Sequence, residues 1–306
     1  MKSVKIIYLF IFICVILIFW KQCLRETWYN VVCYSALPSE KDRVLVQVIK
    51  HKEPIIKSGI SQKIPKIIIQ TNEKNLVPVE MKKSMQHLIE MNPEYEYKYF
   101  DNNDVLVYLK ENFPERIVAA YNKLKPGAYK ADFFRYCILY EIGGVYIDSP
   151  MLAKAALSSL IKPEDEFISP EDNFTGAIYN AFICCVPKHP IIKQCIEKSL
   201  KNIENEFYGS GPLVITGPEL FSEAFESVVG SKVQADKNYG NGIKLITHIA
   251  DIESYLCPSL TKGSISYKDK DFFITRYPNY YVDRIWYNSS KRYSDMWKEK
   301  NVFHPT

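Results

Sequence analysis

The sequence predicts an α/β layered domain with a mostly parallel sheet. Short apolar, β-branched runs alternate along the first half of the chain with longer segments that carry helix start and stop signals. This alternation is typical of parallel strands joined by helices. The composition agrees, because 47% hydrophobic and 24% charged residues among 306 are typical of a globular protein.

The first predicted elements follow from local patterns. Strand 64–71 is a β-branched run beside a proline, which is typical of a buried strand. Helix 78–91 has a proline in its first turn and ends before an Asn-Pro pair. Strand 96–100 alternates charged and aromatic residues, and Asp101 or Asn102 can cap the helix that follows it.

Prolines and glycines punctuate the rest of the domain. Helices 114–124 and 126–141 each begin at a proline, and Gly143-Gly144 stops the second helix. The remaining predicted elements are strands 145–147, 167–169, 177–186 and 243–246, and helices 190–206 and 218–229. No internal repeat interrupts this single predicted domain.

Residues 6–20 form an apolar run that predicts a membrane anchor. As a helix this run rises about 22 Å, against a hydrocarbon core of roughly 30 Å, and snorkelling of Lys5 and Lys21 extends its reach. A cleaved signal peptide is the alternative, but it needs small residues soon after the apolar run, and Lys21 begins a polar stretch instead. The predicted organisation is an anchor over 1–21, a stem over 22–61 and a folded domain over 62–306.

Charge, cysteines and motifs exclude several classes of protein. The net charge of +4 comes from scattered basic residues, so no nucleic-acid footprint is indicated. Eight cysteines include no C-x-x-C pair, which excludes zinc knuckles and thioredoxin-type motifs and leaves the compartment open. Sequons at Asn173 and Asn288 are compatible with a luminal domain. Rossmann, Walker A, H-E-x-x-H and nucleophile-elbow motifs do not occur.

Asp132 and Arg135 are the first candidate site residues. Three positions apart, they share one face of the predicted helix 126–141. The plain alternative is an exposed ion pair of small energetic value. However, the surrounding helix is apolar nearly all round, which predicts burial, and a buried charge is costly unless something uses it.

Asp148 is the next candidate, at the end of strand 145–147. In open α/β sheets, ligands bind beyond the carboxyl ends of the strands. A carboxylate there can hold a divalent ion on a diphosphate or accept hydrogen bonds from sugar hydroxyls. The alternative is that Asp148 only caps a turn with Ser149 and Pro150.

These segments together resemble glycosyltransferase family 32, typified by yeast initiating mannosyltransferases with a DXD-motif sugar-binding region. The resemblance spans about residues 62–303. The segments that carry it are Ile64-Pro65-Lys66-Ile67-Ile68, Asn92-Pro93-Glu94-Tyr95-Glu96-Tyr97, Ala131-Asp132-x-x-Arg135-Tyr136, Gly143-Gly144-Val145-Tyr146-Ile147-Asp148, Tyr179-Asn180-Ala181-Phe182, His189-Pro190, Thr216-Gly217-Pro218 and Tyr293…Trp297.

The resemblance implies a GT-A type nucleotide-sugar-binding fold and hexose transfer with retention. By analogy with the family and with glucosylating toxins that share its motif, Asp132 and Arg135 hold donor-sugar hydroxyls. Tyr146 and Asp148 lie at the nucleotide, and Asp148 is the expected ligand of a weakly held divalent cation, Mn²⁺ or Mg²⁺.

The resemblance also implies further site residues and partners. Gln70 and Thr71 are expected near the base or ribose, Asn180 among the catalytic residues and Asp172 at the donor. The expected partners are a nucleotide-sugar donor, a glycan or glycoconjugate acceptor and the membrane. The expected location is that of a single-pass type II protein facing the lumen of the secretory pathway or the cell exterior.

The sequence departs from the family pattern at three positions. The second acid of the DXD motif falls at Pro150, the histidine usual at the end of the first strand is Ile69, and a histidine near the C-terminus is Arg292. A basic side chain can take the place of a metal ion in neutralising a diphosphate, and Arg292 is one candidate.

Two other classes stay open on these residues. One is a non-catalytic protein that binds nucleotide sugars or glycans, for which Pro150 is the best argument. The other is a hydrolase with two carboxylates, which needs an activated water instead of an acceptor sugar.

Overall fold

The computed structural model describes residues 39, 43–56, 61–172, 175–249, 263–287 and 290–305. The predicted anchor over 1–21 lies outside these residues, and so do the sequon asparagines Asn173 and Asn288. Within the described residues, none of the helices has the length and apolar character needed to cross a membrane.

Strands and helices alternate through the first half of the domain, and the predicted α/β class is confirmed. The strands are β1 (Leu45–Gln47), β2 (His51–Lys52), β3 (Ile67–Thr71), β4 (Leu76–Pro78), β5 (Glu96–Phe100), β6 (Gly144–Ile147), β7 (Leu152–Ala153), β8 (Phe167–Asp172), β9 (Phe182–Cys185), β10 (Asn238–Gly240), β11 (Ile243–Ile249), β12 (Ser264–Tyr267) and β13 (Lys270–Ile274). The helices are α1 (Val79–Met91), α2 (Asn102–Asn112), α3 (Glu115–Lys123), α4 (Gly127–Ile142), α5 (Pro190–Glu204), α6 (Pro218–Val229), α7 (Tyr280–Tyr287) and α8 (Tyr293–Lys298).

The central sheet is mixed. Its strand order is β2-β5-β3-β6-β9-β8-β11-β12-β13-β7, with β10 on β11, and β1 and β4 form a separate pair. Only β3–β5, β3–β6 and β8–β11 run parallel within the described residues. The prediction of a mostly parallel sheet was therefore wrong. Connections without a crossover helix, such as Lys268-Asp269 between β12 and β13, allow only antiparallel pairing.

The sheet separates two apolar clusters. Alternate side chains of β3 and β6 point to opposite faces: Ile69 and Tyr146 pack with helices α2 to α6, whereas Ile68, Val145 and Ile147 pack with α1 on the other side. Because both faces are covered, these strands are apolar on both sides. Their close packing fixes the positions of the residues that follow them at the sheet edge.

Helix boundaries mostly follow the predicted signals. Asp101 caps α2, since its side chain accepts the backbone N–H groups of Asn103 and Asp104. Gly143 ends α4 with φ of +64°, and Gly144 continues at +105°. A Cβ on Gly144 would lie 2.7 Å from the Ile67 carbonyl, so glycine lets β6 approach β3 closely.

Two predicted regions differ in the structure. The predicted strand 177–186 is shorter, because only Phe182–Cys185 pairs as a strand and Ile178 makes an isolated bridge to Glu171. The predicted stem over 22–61 contains β1 and β2, which pair with β4 and β5 of the domain. The hairpin of β12 and β13 was not predicted.

One edge of the sheet collects polar residues from several strands. β3 and β6 run parallel, so Thr71 and Asp148 emerge together. β9 runs antiparallel to β6, which brings Asn180, just before its first residues, to the same edge. The end of β8 at Asp172 and the residue after β13, Thr275, also lie there, because these strands run in the direction of β6.

Candidate functional site

A cleft of about 400 Å³ opens at this edge of the sheet. Its walls are the ends of β3 and β6, the first turns of α4, the segment before β9 and helix α7. The polar and aromatic residues that line it are Thr71, Asn72, Glu73, Asn102, Tyr121, Tyr129, Lys130, Asp132, Phe134, Arg135, Tyr146, Asp148, Ser149, Tyr179, Asn180, Arg276, Tyr277, Tyr280, Arg284, Tyr287 and Tyr293. Most of the predicted site residues therefore meet in one concave site.

Asp148 presents the most accessible carboxylate of the predicted motif. Its Oδ1 accepts hydrogen bonds from Tyr146 Oη at 3.1 Å and Arg135 Nη2 at 3.2 Å. No donor from the described residues reaches its Oδ2, and its side chain is 30% exposed. This oxygen can accept a hydrogen bond from a ligand in the cleft.

Arg135 is buried between two carboxylates. Its Nη2 lies 3.2 Å from Asp148 Oδ1 and 3.4 Å from Asp132 Oδ1, and its Nη1 donates to the Asn180 carbonyl at 2.6 Å. Its guanidinium carbon lies 4.5 Å from the centre of the Tyr146 ring. Burial opposes the charge, but Tyr146 and the two carboxylates raise the pKa of Arg135 above its ordinary value. The interpretation as an exposed ion pair is excluded, since the Arg135 side chain is 5% exposed.

The Asp132 carboxylate accepts hydrogen bonds from two segments outside its own helix. Asn180 Nδ2 donates to its Oδ1 at 2.9 Å, and Thr216 Oγ1 donates to its Oδ2 at 3.1 Å. Its side chain is 12% exposed. Burial raises the pKa of Asp132 to about 6, although Arg135 opposes this shift. Asp132 is thus a preorganised carboxylate with a small accessible surface in the cleft.

Of the two residues at the end of β3, Gln70 is buried beneath the cleft and Thr71 lines it. The Gln70 side chain is fully buried, accepts from Tyr97 Oη at 2.9 Å and donates to the Asp148 carbonyl at 3.5 Å. It supports the turn at Asp148 from below and does not line the cleft. Thr71 does line it, and its carbonyl accepts the Ser149 hydroxyl at 2.9 Å.

Asp172 does not line the cleft, but it contacts a residue that packs against the cleft wall. His248 Nδ1 lies 3.2 Å from Asp172 Oδ1. The His248 ring stacks on Tyr179 with ring centres 4.0 Å apart, and Tyr179 lines the cleft. Asp172 therefore supports the wall of the cleft from behind.

The cations of the cleft differ from the one predicted. Arg292 precedes α8, is exposed and does not line the cleft. Arg276 and Arg284 do line it, and sequence reasoning missed both. Arg276 comes directly after Thr275 at the end of β13, so the rule that ligands bind beyond strand ends could have found it had β13 been predicted.

The residues present do not fit a preformed metal site. Pro150 takes the place of the second acid, and the described carboxylates that line the cleft are Glu73, Asp132 and Asp148. Asp132 is already satisfied by Asn180, Thr216 and Arg135. In the described part of the chain, the one group of three potential ligands is His51, Glu53 and Glu96, at the β2 edge of the sheet. Of the motif acids, Asp148 alone is left for a cation.

Residues 78–168 match a family model described as a glycosyltransferase sugar-binding region containing a DXD motif. The matched region runs from the end of β4 through α4 and β6 and contains Asp132, Arg135 and Asp148. The match confirms the resemblance recognised from the sequence: this segment is similar to the sugar-binding region of DXD-motif glycosyltransferases.

Particular relatives are similar over part of the chain. A mannosyl phosphorylinositol ceramide synthase of Saccharomyces cerevisiae is 28% identical over 216 residues, covering 66% of this chain and 52% of the relative. An uncharacterized glycosyltransferase of Acanthamoeba polyphaga mimivirus is 30% identical over 150 residues, covering 48% of this chain and 58% of the relative. The solved PaToxG glycosyltransferase gives a TM-score of 0.46 at 19% identity, over 55% of this chain and 71% of that one, too distant to bear on the fold. The chain spans about half the length of these curated relatives.

Proposed function

We propose that this protein is a glycosyltransferase with a GT-A type donor site. It transfers a hexose from a nucleotide-diphosphate sugar to a hydroxyl of a glycan or glycoconjugate, with retention at the anomeric carbon. One observation carries the proposal: Asp132, Arg135, Asp148 and Asn180 contact one another at one edge of the sheet, where they line the cleft. The first three lie in the segment that matches the family.

The contacts indicate different roles for the acids and for Arg135. Asp148 Oδ2 and the exposed edge of Asp132 face the cleft, so they are the groups that accept hydrogen bonds from sugar hydroxyls. Arg135 is occupied by both carboxylates and the Asn180 carbonyl, so it positions the acids more than it contacts the sugar. Preorganised dipoles of this kind stabilise developing charge without reorganisation.

The proposed transfer needs no nucleophilic side chain from the protein. The acceptor oxygen bonds to the anomeric carbon while the bond from that carbon to the diphosphate oxygen breaks, and its electron pair leaves with the nucleoside diphosphate. Retention requires the acceptor to approach the face from which the diphosphate leaves. The departing phosphate oxygen then takes the acceptor's proton. The protein supplies position and charge, which account for much of the catalysis in group transfer.

A non-catalytic protein that binds nucleotide sugars or glycans is the second candidate. The observation in its favour is Pro150, which removes one acidic ligand of the family motif. Such a protein would keep the cleft and bind the donor without transfer.

The proposed location is the luminal or exterior side of a membrane, with the anchor over 1–21 inserted as in a type II protein. This proposal rests on the apolar run 6–20 and on the sequons.

One assay separates the candidates. The full chain is incubated with a panel of UDP- and GDP-sugars, with and without EDTA, and with hydroxyl acceptors that include inositol phosphoceramide. GDP-mannose comes first, because relatives of this chain are named as mannosyltransferases of inositol phosphoceramide. Transfer supports the proposal, binding without transfer supports the second candidate, and glycoside hydrolysis without transfer overturns both.

A further inference from the structure

We infer that Arg276 neutralises the donor's diphosphate in the place of the family's divalent cation. The inference rests on the proposed function, because it assigns the diphosphate to this cleft. It names a residue and a source of positive charge for a site whose second acid is missing.

The position of Arg276 follows from strand register. β13 pairs antiparallel with β7, so that Phe273 lies opposite Ala153 and Ile274 opposite Leu152. Continuing this register by two residues places Arg276 opposite Pro150. The backbone agrees, since the Tyr277 N–H donates to the Pro150 carbonyl at 2.8 Å. A cation therefore lies beside the position where the motif's second carboxylate would stand.

The surroundings of Arg276 leave its charge available. Its Nη1 donates to the Thr275 carbonyl at 2.7 Å, and its guanidinium carbon lies 4.9 Å from the Tyr280 ring centre. Among the described residues, no carboxylate oxygen lies within 4.0 Å of its nitrogens, whereas Arg135 has two such partners. Tyr179 hydrogen-bonds to this guanidinium and Asp148 acts on it from beyond ion-pair distance. A half-buried guanidinium without a direct carboxylate partner favours an anionic ligand.

The balance of charges in the cleft also favours an anionic ligand. The acids that line it, Glu73, Asp132 and Asp148, are fewer than the bases, which are Lys130, Arg135, Arg276 and Arg284. Arg135 is already bound to both motif acids, so the charges of the other three bases are open to a ligand. A cleft with this balance attracts an anion more than a cation.

Arginine suits the role chemically. Its planar guanidinium binds phosphate oxygens through two parallel hydrogen bonds and keeps its charge at every working pH. At the departing diphosphate it stabilises the negative charge that forms as the anomeric bond breaks. Arg284 and Lys130 also line the cleft, but of these three bases only Arg276 is tied by strand register to Pro150.

The test measures binding of UDP, GDP, uridine and guanosine to the full chain by calorimetry in EDTA. Wild type is expected to bind one of the nucleoside diphosphates without metal. Arg276→Ala should weaken that binding about 10- to 100-fold and change binding of the matching nucleoside less than about threefold. Arg276→Lys should fall between them, and Arg292→Ala, at an exposed arginine outside the cleft, should bind like wild type.

A rescue variant makes the test reciprocal. Pro150→Asp combined with Arg276→Ala restores a second acid and removes the cation, so diphosphate binding should return only when Mn²⁺ is added. Unchanged diphosphate binding by a folded Arg276→Ala protein in EDTA overturns the inference. Wild-type binding that appears only with Mn²⁺ overturns it as well. If wild type binds no nucleoside diphosphate with or without Mn²⁺, the proposed function itself fails.

Discussion

The side-chain amide of Asn180 donates to Asp132 Oδ1 across 2.9 Å, and this contact joins the segment before β9 to helix α4. The Asn180 carbonyl also accepts from Arg135, so one residue holds both members of the motif pair. Because the three groups are buried, each depends on the others to satisfy its hydrogen bonds. Changes to this network should act on the site as a unit.

Asp132→Asn and Arg135→Lys are each expected to cut transfer at least about a hundredfold, because each removes a charged hydrogen bond that orients the donor site, worth roughly 2–3 kcal/mol. Both variants keep a polar side chain of similar length, so the melting temperature should fall less than activity. Initial rates with saturating donor, together with thermal unfolding curves, measure the two effects.

The matched control for this pair is Glu80→Gln with Lys83→Ala, which removes an exposed ion pair of the same i, i+3 spacing on α1. It should change neither rate nor stability appreciably. If the Asp132 and Arg135 variants keep near-normal turnover but melt far earlier, the pair serves the fold and not the donor.

The pH dependence of stability reports on Asp132. Burial raises the pKa of Asp132 from 3.8 to about 6, so between these values the folded protein holds a proton that the unfolded chain has already lost. Stability therefore falls as pH rises through this window, and Asp132 has no further effect on it above the window. Relative to Asp132→Asn, the wild type should lose about 2 kcal/mol of unfolding free energy between about pH 4 and pH 6.

Urea unfolding of both proteins across this pH range measures the difference. The Asp132→Asn variant is the reference because it cannot titrate at this position while other acids titrate equally in both chains. Parallel stability profiles would show that the folded-state pKa of Asp132 is not raised.

The sequence predicted the part of the site that depends on local signals. Asp148 follows an apolar run, and ligand sites beyond such runs are a general property of α/β sheets, whereas Thr71 was expected at the site from the family resemblance. Arg276 could not be found in this way, because its place depends on the pairing of β13 with β7, a strand distant in the chain. The family resemblance implied a place for Gln70 near the base or ribose, but the pleat of β3 turns its side chain into the protein toward Tyr97.

The membrane topology has its own test. If residues beyond Trp20 face the lumen, protein made in a secretory host should carry glycans at Asn288 or Asn173. Glycosidase treatment should then increase gel mobility, and Asn288→Gln with Asn173→Gln should abolish the shift. A tag at the N-terminus should be digested by protease added to intact vesicles. Full protection of that tag would contradict the proposed orientation.

The binding of metal in the absence of nucleotide is the last property that the site predicts. Asp148 is the most accessible motif acid, since Pro150 replaces the second acid of the DXD motif and Asp132 is mostly buried among its donors. A single carboxylate leaves most of the coordination shell of Mn²⁺ or Mg²⁺ to water and substrate, so the apo protein should not bind either ion detectably. Asp148→Ala should nevertheless abolish transfer, because it removes the Oδ2 atom that is proposed to accept a hydrogen bond from the sugar of the nucleotide-sugar donor.

Calorimetry with Mn²⁺ is the direct measurement, and it needs a background variant. His51, Glu53 and Glu96 form a cluster of potential ligands at the β2 edge of the sheet, so Glu53→Gln removes a competing site without touching the cleft. In this background the expected heat of Mn²⁺ binding is zero, both with Asp148 intact and after Asp148→Ala. Tight stoichiometric binding that disappears in Asp148→Ala would show that the cleft completes a metal site despite Pro150, and would place the metal, not an arginine, at the diphosphate.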